Sequence, residues 1–512
     1  MDAPVIVVGA GPSGLVLAAE LRLGGVEVIV LDRLKEASGE SRGLGFTART
    51  MELFDQRGLL PRFGAIETSA LGHFGGIPLD YSVLPGAHFG ARGIPQARIE
   101  TVLGEWAVEL GVQVLRGWEA VGLTDDGDGV DLDAEAPEGR QRLRGRFVVG
   151  CDGGRSIVRK AAGFDFPGTD ATIEMFLADV AGCDLRVRQI GEKRPGGMVM
   201  SAPLGNGVDR IIVCERGTPP RHRTEPVGFT EVADAWERLT GEDIHGGTAL
   251  WVSSFGDATR QATEYRRGSV LLAGDAAHTH LPAGGQGLSV SVQDAMNLGW
   301  KLAATVRGWA PPTLLDTYHT ERHQAGARLL MNTQAQGFLY LSGAEVEPLR
   351  TVFAELMEYA DVGRHLAGMV SGLGLRYDVG AGDHPLLGRR IPNQELVTAD
   401  GKTTTVDLLH QGRGVLLDLT DRPGMRCVAA PWKDRIDIIT ALPHELPPDS
   451  PLAETTGMLV RPDGYVAWAG PDVAWAGPDA GSAGPDAGSA GPDDGALAAA
   501  LNRWFGSPQP AV

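Results

Sequence analysis

The feature that most constrains this chain is residues 4–33. Residues 5–8, Val-Ile-Val-Val, form a fully apolar run of the length a buried parallel strand needs. They lead at once into Gly9-Ala10-Gly11-Pro12-Ser13-Gly14. An apolar-periodic segment through Leu15, Ala18, Ala19 and Leu21 follows and stops at Gly24-Gly25. Residues 26–31 make a second strand that ends in Asp32-Arg33. Strand, glycine turn, helix, strand and terminal carboxylate compose an ADP-binding βαβ unit. Gly9 allows its tight turn, Gly11 lets the backbone approach a pyrophosphate, and Gly14 lets the helix lie close on the sheet. Asp32, eighteen residues after Gly14, is placed to accept from ribose hydroxyls. The unit alone leaves NAD and FAD open, because both present an ADP half.

With 512 residues, 43% of them apolar, the chain has length for two or three globular domains with sizeable cores. A formal charge of −19 argues against nucleic acid and against an anionic membrane surface. Four widely spaced cysteines, Cys151, Cys183, Cys214 and Cys427, make no metal-binding pattern, which fits a reduced, cytoplasmic setting. The acidic run at residues 125–129 lacks the ligand spacing of a calcium loop and reads as a hairpin turn, so no metal is expected. The start of the chain reads as no signal peptide, and no apolar run is long enough to span a bilayer.

Further along, Arg42-Gly43 sits among glycines just beyond the nucleotide unit, and Gln96 opens an amphipathic helix. A short buried strand at 147–150 delivers Cys151-Asp152-Gly153-Gly154-Arg155 to the carboxyl end of the sheet, where such sheets bind ligands. Residues 172–255 turn to β with one helix at 230–239, a second layer with an apolar face available to cover something. Met198, Met200 and Trp251 within it read as ordinary core. Another buried strand then ends in Gly274-Asp275, followed by Pro282-Ala283-Gly284-Gly285-Gln286-Gly287 and a long helix from Leu288, with a second helix at 314–334. The last part has the βαβ…ββα order of a thioredoxin-like unit, with residues 462–464 as a hairpin turn. Cys427 stands alone there, so a structural or dimer-supporting role replaces redox chemistry. The expected divisions are a nucleotide-binding domain over 1–171 with a small β meander at 72–146, a substrate sheet over 172–260, and the second part of the first domain over 261–379. A thioredoxin-like domain follows over 380–512, its Gly-Pro-Asp repeats making a disordered loop at 470–495.

Three boxes in order, Gly9 to Gly14 with Asp32, Asp152-Gly153 with Arg155, and Gly274-Asp275, resemble the single-component (group A) FAD-dependent aromatic hydroxylases. Stretches at 210–220, at 329–336 (Leu-Leu-Met-Asn-Thr-Gln-Ala-Gln) and at 365–372 are most similar to the angucycline oxygenases among them. The resemblance implies a Rossmann-like FAD-binding domain with an inserted antiparallel-sheet substrate domain and a thioredoxin-like tail, a mixture of α/β and α+β. It implies non-covalent FAD, NADPH as a transient co-substrate, and dioxygen passed through a flavin C4a-hydroperoxide to a polycyclic aromatic polyketide. The position attacked would be C-12, and in some members C-12b, of an angucyclinone, with a homodimer as a compatible assembly. Baeyer-Villiger or drug-inactivating oxygenases of the same fold are the alternative, and a flavin dehydrogenase or non-catalytic flavoprotein is a more distant one.

Carried over by position, the resemblance assigns Gly9, Gly11, Pro12, Ser13 and Gly14 to the FAD pyrophosphate. It assigns Asp32 to the adenosine ribose, Arg33 to the adenine side, and Arg42 and Gln96 to the diphosphate and ribityl region. Asp152 belongs to the box the family ties to FAD and NADPH, and Asp275 to the ribityl or diphosphate portion. Pro282, Gly285, Gly287 and Leu288 border the flavin ring. Two positions depart from the family pattern: Gly43 stands for a commoner Ala, and Leu288-Ser289 for Met-Asn. The glycines at 284–287 open a helix whose free N–H groups and positive end would meet the charge that develops on the reduced ring. No side chain is named as catalytic, since the cofactor carries the hard step, and His278 and His280 read as packed beside the Gly-Asp box. There is no second GxGxxG in a strand-turn-helix context, so NADPH shares the single cleft.

Overall fold

Strand β1 (Asp2–Val8) is buried on both faces, and Val5, Ile6 and Val7 expose nothing. This is why its sequence is a continuous apolar run and not an alternation. The structure, a computed structural model, describes residues 2–37, 39, 43–84, 88–221, 223, 225–446, 450–453, 455–470 and 492–508. The turn at Gly9 leads into α1 (Pro12–Leu23), and β2 (Val28–Asp32) returns parallel to β1. A hairpin of β3 (Leu71–Phe74) and β4 (Ile77–Asp80) precedes α2 (Gln96–Glu109) and β5 (Gln113–Arg116), which pairs with β2. β6 (Gly139–Gly150) lies parallel to β1 on its other side and delivers Cys151 to the carboxyl end. The sequence suggests a meander ending at 146 and a separate strand at 147–150. The backbone makes them one strand, antiparallel to its hairpin partner through its first half and inside the parallel sheet through its second. Helix α3 (Ile157–Ala161) follows.

The second layer is antiparallel: β7 (Glu174–Ala181), β8 (Arg188–Arg194), β9 (Gly197–Gly205), β10 (Val208–Glu215), α4 (Phe229–Thr240) and β11 (Thr248–Gly256), in the order β8-β9-β10-β7-β11. Helix α4 buries Val232, Ala233 and Trp236 against one face, with Phe176, Val199 and Ile211 beneath. Register pairs Met175 with Cys214, and Cys214 with Met198, so these share the opposite face with Leu177, Ile212 and Met200. β8 is absent from the sequence reading. It is an edge strand of mostly polar residues held by ion pairs such as Arg188–Glu242, with no apolar alternation to announce it.

β12 (Val270–Leu272) returns to the first sheet beside β6, giving the parallel order β12-β6-β1-β2-β5. Because β1 has β2 on one side and β6 on the other, a crevice opens at its carboxyl end, where the glycine turn lies. α5 (Gly287–Val306) packs on α1 so closely that a Cβ at Gly299 would stand 2.3 Å from Glu20 Cβ. α6 (Asp316–Leu341) runs well beyond the expected end at 334, because Leu339, Tyr340 and Leu341 go on packing against the hairpin and the second sheet. α7 (Glu347–Met357) and α8 (Ala360–Ser371) complete this part. No helix among the described residues is long and apolar enough to cross a membrane.

The last unit holds β13 (Gly414–Asp418), α9 (Pro423–Ala429), β14 (Ile436–Thr440), β15 (Gly457–Val460), β16 (Val466–Ala469) and α10 (Pro492–Phe505). The sheet order β14-β13-β15-β16, with only the first pair parallel, is thioredoxin-like. The repeats at 471–491 lie outside the described residues, and helix α10 already begins at 492, inside the loop expected at 470–495; a proline suits a first helical position. The 461–464 turn is no plain hairpin turn. Arg461, fully buried, donates to both Glu321 oxygens at 2.7 and 2.9 Å and to Asp463, with its guanidinium 4.5 Å from the Trp504 ring. Lys301 Nζ donates to Glu321 Oε2 at 2.8 Å, and Arg49 donates to the Asp463 carbonyl. Burial opposes the charge on Glu321, but Arg461 and Lys301 outweigh it and hold the carboxyl down to about 2. Burial brings the Lys301 ammonium down to about 8.

Glu321→Gln leaves two buried cations short of a partner and should cost about 3–5 kcal/mol in urea unfolding at pH 7. A depressed folded-state carboxyl contributes stability above its unfolded value of 4.5 that is lost as pH falls toward about 2. The wild-type unfolding midpoint should therefore drop more steeply than the variant's across that interval.

Candidate active site

The glycine turn is fixed by close approach. Gly9 has φ +106°, and a Cβ there would stand 2.4 Å from the Cys151 carbonyl oxygen; one at Gly14 would stand 1.9 Å from the Gly9 oxygen. Gly11 is different, since a Cβ there meets nothing within 4 Å. It is the residue before Pro12, α1 has no side-chain cap, and its first N–H groups are left for a ligand. The Ser13 hydroxyl turns inward and donates to the Ser291 carbonyl at 3.4 Å, so only its backbone faces the turn.

Asp32 ties the crevice together: Oδ2 accepts from Ala10 N at 2.7 Å and Oδ1 from Leu34 N at 2.8 Å. Each oxygen keeps a further lone pair. Arg33 is exposed beside it, and Arg42 lies outside the described residues. Gln96 pins the neighbouring segment, accepting from Gly43 N at 3.3 Å and donating from its own backbone to Gly43 O at 3.0 Å. A Cβ at Gly43 would make ordinary contacts with Gln96 and Leu288, so the family's alanine would also fit, and the Ser289 hydroxyl accepts from Thr47 N at 3.1 Å. Asp152 acts locally as a cap: its Oδ2 accepts from Ile157 N at 2.7 Å and Val158 N at 3.2 Å. Its Oδ1 is buried with no hydrogen-bond partner among the described residues, and burial raises the carboxyl.

Gly274 sits where α1 and α5 converge, its Cβ position 3.1 Å from Ser13 Oγ and 2.9 Å from Ser291 Oγ. Asp275, the next residue, is exposed at the rim of the same turn. What fixes this box is Asp294, which the sequence reading missed. Its Oδ2 accepts from Gly274 N at 3.0 Å and meets His278 Nε2 at 2.8 Å, and its Oδ1 accepts from Arg322 Nε at 2.6 Å. Burial opposes ionisation, yet the charge of Arg322 and the contact with His278 bring the carboxyl below its usual value. Asp294, Asn297 and Lys301, spaced i, i+3, i+7 along one face of a helix, were the available signal.

His280 donates from Nδ1 to the Leu281 carbonyl at 2.7 Å, and its Nε2 lies 3.5 Å from a Cβ placed at Gly287; burial holds the imidazole below its usual range. Pro282 leads into Gly284 and Gly285, at φ +71° and +65°, and α5 begins at Gly287 with no side-chain cap. The N–H groups of its first turn and the positive end of its dipole are therefore available. Against this loop lies the face of the second sheet turned away from α4: Met175, Met198 and Cys214 cluster with Leu281, Ala283 and Tyr340. Met198 and Met200 thus belong to a core, and that core roofs the loop.

One nucleotide-binding unit, two uncapped helix starts at its rim and an apolar roof give the build of a flavin-dependent hydroxylase. Comparison with known proteins agrees. A family described as FAD binding domain matches residues 2–333, and one described as aromatic-ring hydroxylase, C-terminal, matches residues 384–508. The chain belongs to the FAD-dependent aromatic-ring hydroxylases, and FAD is its cofactor. It is 42% identical, over 98% of its length and 99% of the relative's, to a 12-dehydrotetracycline 5-monooxygenase/anhydrotetracycline 6-monooxygenase of Streptomyces rimosus. It is 42% identical, over 91% and 96%, to a rifampicin monooxygenase of Streptomyces venezuelae. Among solved structures it is similar to CabE, an aromatic hydroxylase from angucycline biosynthesis, at 61% identity and a TM-score of 0.92, covering 99% of this chain and 100% of that one.

The contrast between Gly9 and Gly11 is testable. Gly9→Ala should destabilise the apoprotein itself. Gly11→Ala should leave the apoprotein's thermal unfolding unchanged while weakening FAD binding by roughly tenfold or more, since its methyl meets only the ligand. Equal FAD affinity for Gly11→Ala and wild type in a fluorescence titration would remove Gly11 from the site.

Proposed function

We propose that this enzyme hydroxylates a polycyclic aromatic polyketide of the angucyclinone class at C-12, with NADPH and dioxygen as co-substrates. The observation that carries this is the apolar sheet face over the loop before α5, where the half-buried Ile173, Met200, Ile212 and Phe255 continue the buried cluster of Met175, Met198 and Cys214. A flat, apolar polycycle suits such a roof, and the similarity to an angucycline hydroxylase over the whole chain supports the choice.

Bound FAD supplies the transfer of two electrons from NADPH and the activation of dioxygen. In this reading the backbone of Gly9, Gly11, Pro12, Ser13 and Gly14 holds the pyrophosphate, which the open space at Gly11 and the uncapped α1 support. The free lone pairs of Asp32 accept from the ribose, with Arg33 toward the adenine. Gln96 and Arg42 flank the diphosphate and ribityl chain, Asp275 closes them from the rim, and Asp152 belongs to the region shared with NADPH. Pro282, Gly285, Gly287 and Leu288 border the ring, where the N–H groups of the α5 start favour negative charge. The roof excludes water, and no side chain is required as nucleophile. Within the same fold, drug inactivation is the second reading, favoured by the similarity to a rifampicin monooxygenase.

The purified yellow protein should oxidise NADPH slowly alone and many times faster with one of a panel of angucyclinone precursors, yielding a product heavier by one oxygen per hydroxylation. Product mass and NMR separate ring hydroxylation from ring expansion or rifamycin modification. If no aromatic polyketide accelerates flavin reduction, the substrate assignment fails.

A further inference from the structure

The stretch at 329–336 has no task in the site described so far. On α6, Asn332 and Gln336 lie one turn apart and are buried at 1% and 0% exposure. They belong to a chain of amides that runs in one sense. Gly75 N donates to Gln336 Oε1 at 3.1 Å, Gln336 Nε2 to Asn332 Oδ1 at 2.9 Å, Asn332 Nδ2 to Gln286 Oε1 at 3.0 Å, and Gln286 Nε2 to the Ala283 carbonyl at 3.1 Å. A backbone N–H fixes one end and a backbone carbonyl the other, so no amide in the chain can flip without breaking its neighbours' bonds. The aligned dipoles strengthen one another in this buried setting.

The far end of the chain is the loop that precedes α5. Gly284 and Gly285 follow Ala283 with positive φ, and a Cβ at Gly284 would come within 3.1 Å of Val370 and 3.2 Å of Gln286 Nε2. Consecutive glycines of this kind allow a peptide plane to turn over at little steric cost. Something must therefore choose which side shows carbonyls and which shows N–H groups. The Ala283 carbonyl is held inward by Gln286. The near end of the chain is the turn of the β3–β4 hairpin, which packs on α6 and α8 through Phe74, Leu79, Leu339 and Val370.

We infer that Asn332 and Gln336 are positioning residues: through Gln286 they hold the Ala283 carbonyl away from the flavin, keep the Gly284 N–H of that same peptide toward the ring's N1 and C2 carbonyl edge, and couple that orientation to the β3–β4 hairpin. This rests on the placement of the flavin ring at the start of α5. A broken relay lets a carbonyl dipole turn toward the edge where reduction puts negative charge, which disfavours the reduced flavin.

The test uses the full-length protein loaded with FAD or with 1-deaza-FAD, which carries C–H in place of N1. Wild type, Asn332→Leu and Gln336→Met are compared for affinity toward both flavins and for the reduction potential of bound FAD. The wild type should prefer FAD. Each variant should lose roughly tenfold of that preference, the scale of one misplaced hydrogen-bond donor, and its potential should fall. Gln336→Met keeps side-chain volume at the end remote from the flavin and decides the matter if Asn332→Leu does not fold. A wild type that holds both flavins equally would overturn the ring placement. A wild type that discriminates, with folded variants matching it in preference and potential, would overturn the relay alone.

Discussion

Asp294 is the interaction on which the functional half of the molecule depends. One buried carboxylate on α5 receives the Gly274 amide and His278 from the stretch after β12 and Arg322 from α6, so it ties three segments together. Arg322 continues to the Tyr377 hydroxyl at 2.9 Å, so the same contact reaches toward the thioredoxin-like unit. A buried charge is tolerated only when paired and hydrogen-bonded, and any displacement of α5 against β12 or α6 would strand it. The Gly-Asp box therefore keeps its place beside the glycine turn because moving it would leave charges unpaired in the interior.

A second ionic cluster, centred on Arg461, does the same for the carboxyl-terminal unit. Arg461 reaches Glu321 on α6, and Asp463 is met by Asn297 on α5 and by Arg49. Nearby, Arg57 bridges Glu20 of α1 to the carbonyls of Leu409 and Pro462. The thioredoxin-like unit, whose lone exposed Cys427 gives it no redox pair, acts here as a brace. It holds the far ends of α1 and α5, the helices whose near ends face the cofactor crevice, and the first turns of α6. Apolar packing supplies the bulk of the burial, and the ionic contacts set the register in which the helices meet.

Much of this was legible in residue order. The βαβ unit, the Gly-Asp box, the glycine-rich helix start and the inserted sheet all follow from local patterns: a continuous apolar run, glycines where backbone must approach backbone, and alternation through residues 172–255. Asp294, Asn297 and Lys301 showed only a shared helix face, and Asn332 and Gln336 were not legible because polar residues are common along α6 and the groups these side chains reach on other elements lie far away in the chain. The polar edge strand at 188–194 was missed for the converse reason, as hydrophobic alternation is the signal and an edge strand does without it.

By itself, then, the sequence determined which elements form and which backbone positions admit no side chain, because those depend on periodicity and on sterics between near neighbours. The 461–464 segment illustrates the limit. Its Pro-Asp-Gly composition dictates a turn, but only the packed molecule makes that turn the seat of a buried Arg461–Glu321 pair. Tertiary structure also decided that the Met175–Cys214–Met198 face roofs the loop before α5 and that the Ala283 carbonyl turns inward. Those outcomes depend on groups brought together across hundreds of residues, where burial makes an unpaired polar atom costly and so selects the arrangement in which these charges and amides are paired.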